Sequence, residues 1–225
     1  MITEELVQRS PVRIFEKSIK GGLVAGEIGV IVAPSGIGKT SVLVQLGLDK
    51  LLQEKKIIHV SFTQQTDYVL AWYENIFEEL FKKRKLDSKS LKSELVKNRV
   101  LMNFPQESVT SDQINRSLRS LIVDGGFKAE SIIVDGLDFT RADRERFSTT
   151  RQFAAELGLT VWYSCNAKEA GIPPFMKGYL DLLDVVAVLE PKPDHITLSI
   201  AKDHGTPNPH SSMRLDPKTL LILEG

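Results

Sequence analysis

The sequence predicts an α/β fold: a three-layer α/β/α core with a mainly parallel twisted sheet and a C-terminal antiparallel extension. Three observations carry this. Short apolar runs, the form of strands buried on both faces, alternate with stretches whose apolar residues recur at helical spacing. That β-α-β-α rhythm requires crossovers that lay helices on both faces of a parallel sheet. The tail breaks the rhythm, because two strand-like segments follow one another with no helix between them. The 225 residues suit one large domain over 1–225, with an N-terminal arm over 1–18 and a β extension over 195–225.

The elements follow in order. Residues 28–33 (IGVIVA) form the first apolar run, and 40–52 a mostly apolar helix. Residues 56–62 (KIIHVSF) read as the second strand. Thr66 or Asp67 can cap a helix whose Val69, Trp72, Ile76, Phe77, Leu80 and Phe81 share a face. A third strand covers 99–104. Ser111 is the expected cap of a helix carrying Ile114, Leu118, Leu121 and Ile122, with Gly125 and Gly126 as its stop. Residues 131–135 (SIIVD) are again apolar, 143–157 are helical up to Gly158, and 159–164 and 184–189 are further strands. The extension alternates over 195–202, and a second strand over 213–223 follows a Gly/Pro-rich link.

Composition narrows the function. Lys plus Arg equals Asp plus Glu at 29 each, so the chain is neither a uniformly basic nucleic-acid coat nor an acidic tail. One cysteine, Cys165, excludes an internal disulfide framework and fits a reducing compartment. No apolar run reaches the ~20 residues of a membrane span, and MITEELVQRSPVR has no signal-peptide core. The expectation is a cytoplasmic protein with no membrane contact. His59, His195, His204 and His210 show no metal-ligand spacing.

The sharpest motif is Ala33-Pro34-Ser35-Gly36-Ile37-Gly38-Lys39-Thr40, with Ser41 next, between a strand and a helix. Glycines let successive backbone N–H groups face a phosphate, and the helix start adds its positive dipole end. Lys39 supplies charge for the β- and γ-phosphates and Thr40 a hydroxyl for Mg²⁺. Ala33 stands where the strict pattern has Gly. Asp135, ending an apolar strand, is the candidate second metal ligand, with Asp138 a lesser one. The cofactors so implied are ATP and Mg²⁺. No guanine-reading motif is visible, which favours adenine.

These motifs, with Gly21-Gly22-Leu23, Gly26-Glu27 and Ala201-Lys202-Asp203-His204-Gly205, resemble the RecA-like P-loop ATPases. The closest likeness is to the motor domain of DnaB-type replicative helicases, with KaiC-type ATPases close behind. The resemblance covers about residues 12–222 and implies a RecA-like core in a ring or filament, with ATP between subunits. It implies that Lys202 and His204 reach a neighbouring subunit's phosphate. Three positions depart from the family pattern. Thr63, followed by Gln64, stands where members carry the catalytic Glu; neither is a general base, though Gln64 can position a water. His204 replaces an Arg and is mostly neutral at pH 7 if unperturbed. Cys165, beside Asn166, replaces the sensor Gln. The expectation is Mg-ATP used as a switch or assembly signal with weak or absent hydrolysis. The rival is a DNA-stimulated ATPase acting as a helicase, recombination or replication accessory.

Two loops are candidates for single-stranded DNA, 141–146 and 167–177, although Asp143, Glu145 and Glu169 interrupt their positive charge. Residues 82–99 hold eight Lys or Arg against two acids and could meet an acidic protein partner. With no interleaved aromatic residue, a solvated basic helix end is the plainer reading.

Overall fold

The computed structural model describes residues 2–62, 65–82, 88–168, 171–207 and 212–224. The expected catalytic positions Thr63 and Gln64, the core of the basic run at 83–87, Glu169 and His210 lie outside the described residues.

Helices α1 (Ile2–Gln8) and α2 (Val12–Ser18) form the arm and lead into β1 (Ile28–Ala33). Then come α3 (Lys39–Leu52), β2 (Lys56–Ser61), α4 (Thr66–Phe81), α5 (Ser88–Lys97) and β3 (Arg99–Asn103). After these follow α6 (Ser111–Arg119), β4 (Ala129–Asp135), α7 (Arg144–Leu157), β5 (Thr160–Asn166) and β6 (Val185–Pro191). The tail holds β7 (Ile196–Asp203), β8 (Thr206–Pro207), β9 (Ser212–Leu215) and β10 (Ile222–Glu224).

One sheet runs β10-β9-β7-β6-β1-β5-β4-β2-β3, with β8 paired to β7 off that path. The first six strands are mutually parallel. The rest join antiparallel, because the link between β6 and β7 closes as a tight turn, with Lys192 N donating to His195 O, too short for a parallel crossover. Helices cover both faces. Phe15, Leu43, Val69 and Phe77 pack over Ile57, Ile133 and Trp162 on one side. Leu118, Phe147 and Phe153 pack over Val60, Val134 and Tyr163 on the other. The parallel strands therefore point all their C-terminal ends to one edge, where a sheet of this class places ligands.

Several local expectations change. The N-cap of α4 is Gln65 with no side-chain cap, rather than Thr66 or Asp67. Thr110, not Ser111, caps α6, because its hydroxyl accepts from Gln113 N while the Gln113 side chain reaches back. That helix ends at Arg119 and passes through a π-helical turn, Ser120–Asp124, before Gly125 stops it. The expected strand over 213–223 is two strands. Asp216 Oδ1 accepts from Lys218 N and Thr219 N and folds the chain into a turn between them. The basic segment contains α5. On α4, Tyr73 is buried while Trp72 is only half-buried. The Tyr73 hydroxyl lies 3.2 Å from His59 Nδ1, and the Arg99 guanidinium sits 4.2 Å from its ring centre. His59 is fully buried, as a packed residue should be, and burial pushes its pKa down to about 4.

Candidate functional site

The phosphate-type loop leaves β1 in the middle of the sheet. Gly36 and Gly38 have φ of +80° and +100°, a region where a side chain is strained. A β-carbon at Gly36 would meet nothing within 4 Å, so the loop is open on that side, whereas one at Gly38 would meet Leu215 at 3.2 Å. Gly38 is the N-cap of α3, which aims the first turn of a 14-residue helix at that opening. Ile37 packs on the core.

Lys39 is only 8% exposed. Its ammonium donates to Ala33 O (3.0 Å) and Pro34 O (2.7 Å), at the root of the loop. Burial lowers its pKa, opposed by the charge of Asp135. Thr40 Oγ1 donates to Asp135 Oδ2 at 2.8 Å. Asp135 is buried, and its Oδ1 accepts from Ser164 Oγ at 2.5 Å. Ser164 in turn accepts from Gly136 N at 2.9 Å. A cation, a hydroxyl and a carboxylate thus converge beneath an open loop of backbone donors. The carboxylate and the hydroxyl are hard oxygen donors of the kind Mg²⁺ takes, and the residues fit that ion completed by phosphate and water.

Ser164 was not among the sequence-derived site residues. The signal for it was a hydroxyl inside an otherwise apolar strand. The expected sensor position, Cys165, faces the other way: alternation along β5 buries it against the opposite core, and burial pushes its thiol up to about 12. Ser41 is also turned aside. Its hydroxyl and the Gln45 amide both donate to Leu220 O, at 3.0 and 2.9 Å, and Ile222 N donates to Gln45 Oε1 at 2.9 Å. The C-terminal turn is thereby keyed to the first turns of α3.

Lys202 and His204 lie away from this cluster. The end of β7 pairs with the start of β6, Asp203 opposite Val185, and Val185 is level with Gly29 at the start of β1. They occupy the N-terminal edge of the parallel strands, opposite the loop. Lys202 Nζ donates to Leu180 O at 2.9 Å and closely to Leu183 O. His204 is bracketed by carboxylates, Asp203 at Nδ1 and Glu27 at Nε2 (3.1 Å). Burial depresses its pKa, but the bonds to Asp203 and Glu27 outweigh this and raise it. A histidine that would be mostly neutral at pH 7 if unperturbed is therefore biased toward the imidazolium. A raised folded-state pKa stabilises fully below the unfolded value of about 6.5 and is lost as pH rises through the folded value. Thermal unfolding of wild type and His204→Gln should differ most below about pH 6.5 and converge on the alkaline side of the folded pKa.

Several of the basic candidates have partners among the described residues. Arg141 pairs with Glu107 (3.2 Å), Arg144 with Asp181 (2.6 Å), and Arg146 Nε donates to Ser111 Oγ (2.7 Å). In the 82–99 segment, Lys82 pairs with Glu79 and Lys92 with Glu78. No helix among the described residues is long and apolar enough to cross a membrane. No protein-family model matches the chain, and no curated protein matches it significantly.

Proposed function

We propose that the chain binds Mg-ATP in the 33–41 loop and uses it as a switch or assembly signal, with slow or absent hydrolysis. In this reading the core is RecA-like and assembles as a ring or filament. The observation that carries it is the convergence of Lys39, Thr40 and Asp135 beneath an open, glycine-shaped loop at a helix start. Thr40 and Asp135 would hold Mg²⁺, and Lys39 would exchange its two carbonyls for phosphate oxygens. The weak-hydrolysis part rests on Thr63 at the position of the usual Glu. The pairing of Arg141 and Arg144 with carboxylates leaves the DNA-motor reading with less cationic surface than the sequence suggested.

Steady-state phosphate release from Mg-ATP tests this, with and without single-stranded DNA and with Lys39→Ala as the blank. The expected result is binding of Mg-ATP by calorimetry together with release no faster than the blank. DNA-stimulated release above the blank would replace the switch by a motor.

A further inference from the structure

A cavity of about 740 Å³ opens at the same sheet edge, directly beside the phosphate-type loop. Its mouth includes Pro34 and Ser35 of that loop. Pro34 is the residue whose carbonyl holds the Lys39 ammonium, so the cavity adjoins the end of the loop that would face a terminal phosphate. Leu137 and Phe139, which follow β4, form one apolar wall, and Ile172, Pro173 and Phe175, which follow β5, form the other. Phe175 is 37% exposed, a large aromatic group left on a cavity wall instead of in the core. The polar groups sit at the rim. Among the described residues, neither the Asn166 nor the Lys168 side chain has a hydrogen-bond or ionic partner, and both are exposed.

We propose that this chamber is a second ligand site, for a small organic molecule with a flat apolar body and one anionic end. Size and lining are those of small-molecule pockets: hundreds of Å³, mainly apolar, with a few polar groups that set orientation. The body would lie between Phe139 and Phe175, and the anion at Lys168 and Asn166. A nucleic-acid strand is disfavoured because the arginines on the neighbouring turn are paired and Asp138 adds a carboxylate to the lining. The link between the chamber and Lys39 runs through one shared carbonyl. Asn166 is level with Ala33 in the sheet, and Ala33 O accepts from both Ala167 N (3.0 Å) and Lys39 Nζ (3.0 Å). A change at Lys39 is therefore felt at the chamber wall, and by linkage the two ligands alter each other's affinity equally. This coupling rests on the proposed Mg-ATP site; the chamber itself does not.

The probe is 8-anilinonaphthalene-1-sulfonate, an aromatic body with one anion, titrated into the folded full chain by fluorescence. The expected result is one saturable site, weakened about tenfold or more by Ile172→Trp, which fills the chamber, and about threefold by Lys168→Glu, which reverses the rim charge. Phe175→Ser, at an exposed position, serves as the milder wall variant should Ile172→Trp fail to fold, and should weaken the dye about threefold. Mg-ATP should shift dye affinity in wild type but not in Lys39→Ala. Absence of a saturable site, or affinity indifferent to all three chamber variants, would overturn the proposal. Displacement of the dye by a single-stranded oligonucleotide would reassign the chamber to nucleic acid. A variant-sensitive dye site with no calorimetric Mg-ATP binding would remove the nucleotide reading and leave the chamber standing.

Discussion

Lys39→Ala should lower Mg-ATP affinity by about 100-fold or more, with little change in thermal stability. The size follows from the loss of charge-assisted bonds to phosphate in a site shielded from water, each worth ~1.5–3 kcal/mol. Two such bonds exceed the ~2.7 kcal/mol that a hundredfold requires. The stability expectation has a separate cause. Without nucleotide, the ammonium is buried against two carbonyls and its pKa is lowered by desolvation, so the fold gains little from it. Calorimetry reads the first quantity and thermal unfolding the second. Unchanged ATP affinity in a folded variant would rule out the loop as the nucleotide site.

Arg13→Met should lower stability by about 2–4 kcal/mol. Arg13 projects from α2 and makes a close ion pair with Asp49, which is 1% exposed near the C-terminal end of α3. It also pairs with Glu16 at 2.6 Å. Removing the guanidinium leaves Asp49 with Gln53 Nε2 (2.7 Å) as its remaining neutral partner in the core. The pair is not an efficient source of stability in itself, because Arg13 Nε and Asp49 Oδ1 are already buried without partners. Arg13→Met with Asp49→Leu should therefore recover most of the loss in denaturant unfolding. No recovery in the double variant would mean that Arg13 acts through packing of α2, not through the charge of Asp49.

Both changes bear on α3, the helix that opens at the loop. It is held from one end of the chain by Arg13 and from the other by the turn at Leu220. Neither contact was legible in the sequence. Asp49 sits in a mostly apolar helical stretch, and only its partner, 36 residues away, explains it. Gln45 reads as an ordinary helix residue until Leu220 and Ile222 fill both ends of its amide.

Local signals served where local physics decides. The apolar run IGVIVA is a buried strand because both faces and both edges are covered, a fact its composition already required. Gly36 and Gly38 mark a loop that needs positive φ, and Asp143 and Gly158 bracket α7 because a carboxylate caps and a glycine turns. Helix ends governed by competing hydroxyls were less legible, as at Thr110 and Ser111, since either can accept from the next turn.

The alternating α/β architecture, the antiparallel tail, and the loop with its lysine, hydroxyl and candidate acid are all legible in the residues alone. Each follows from periodicity or backbone geometry within its own short stretch of chain. The folded sheet adds that Ser164, not Cys165, meets Asp135, that His204 lies between two carboxylates, and that Lys202 faces the opposite edge. Each depends on strand order and register, which bring residues tens of positions apart to within a hydrogen bond. Pairwise contact of that kind is a property of the assembled sheet, and no window of sequence contains it.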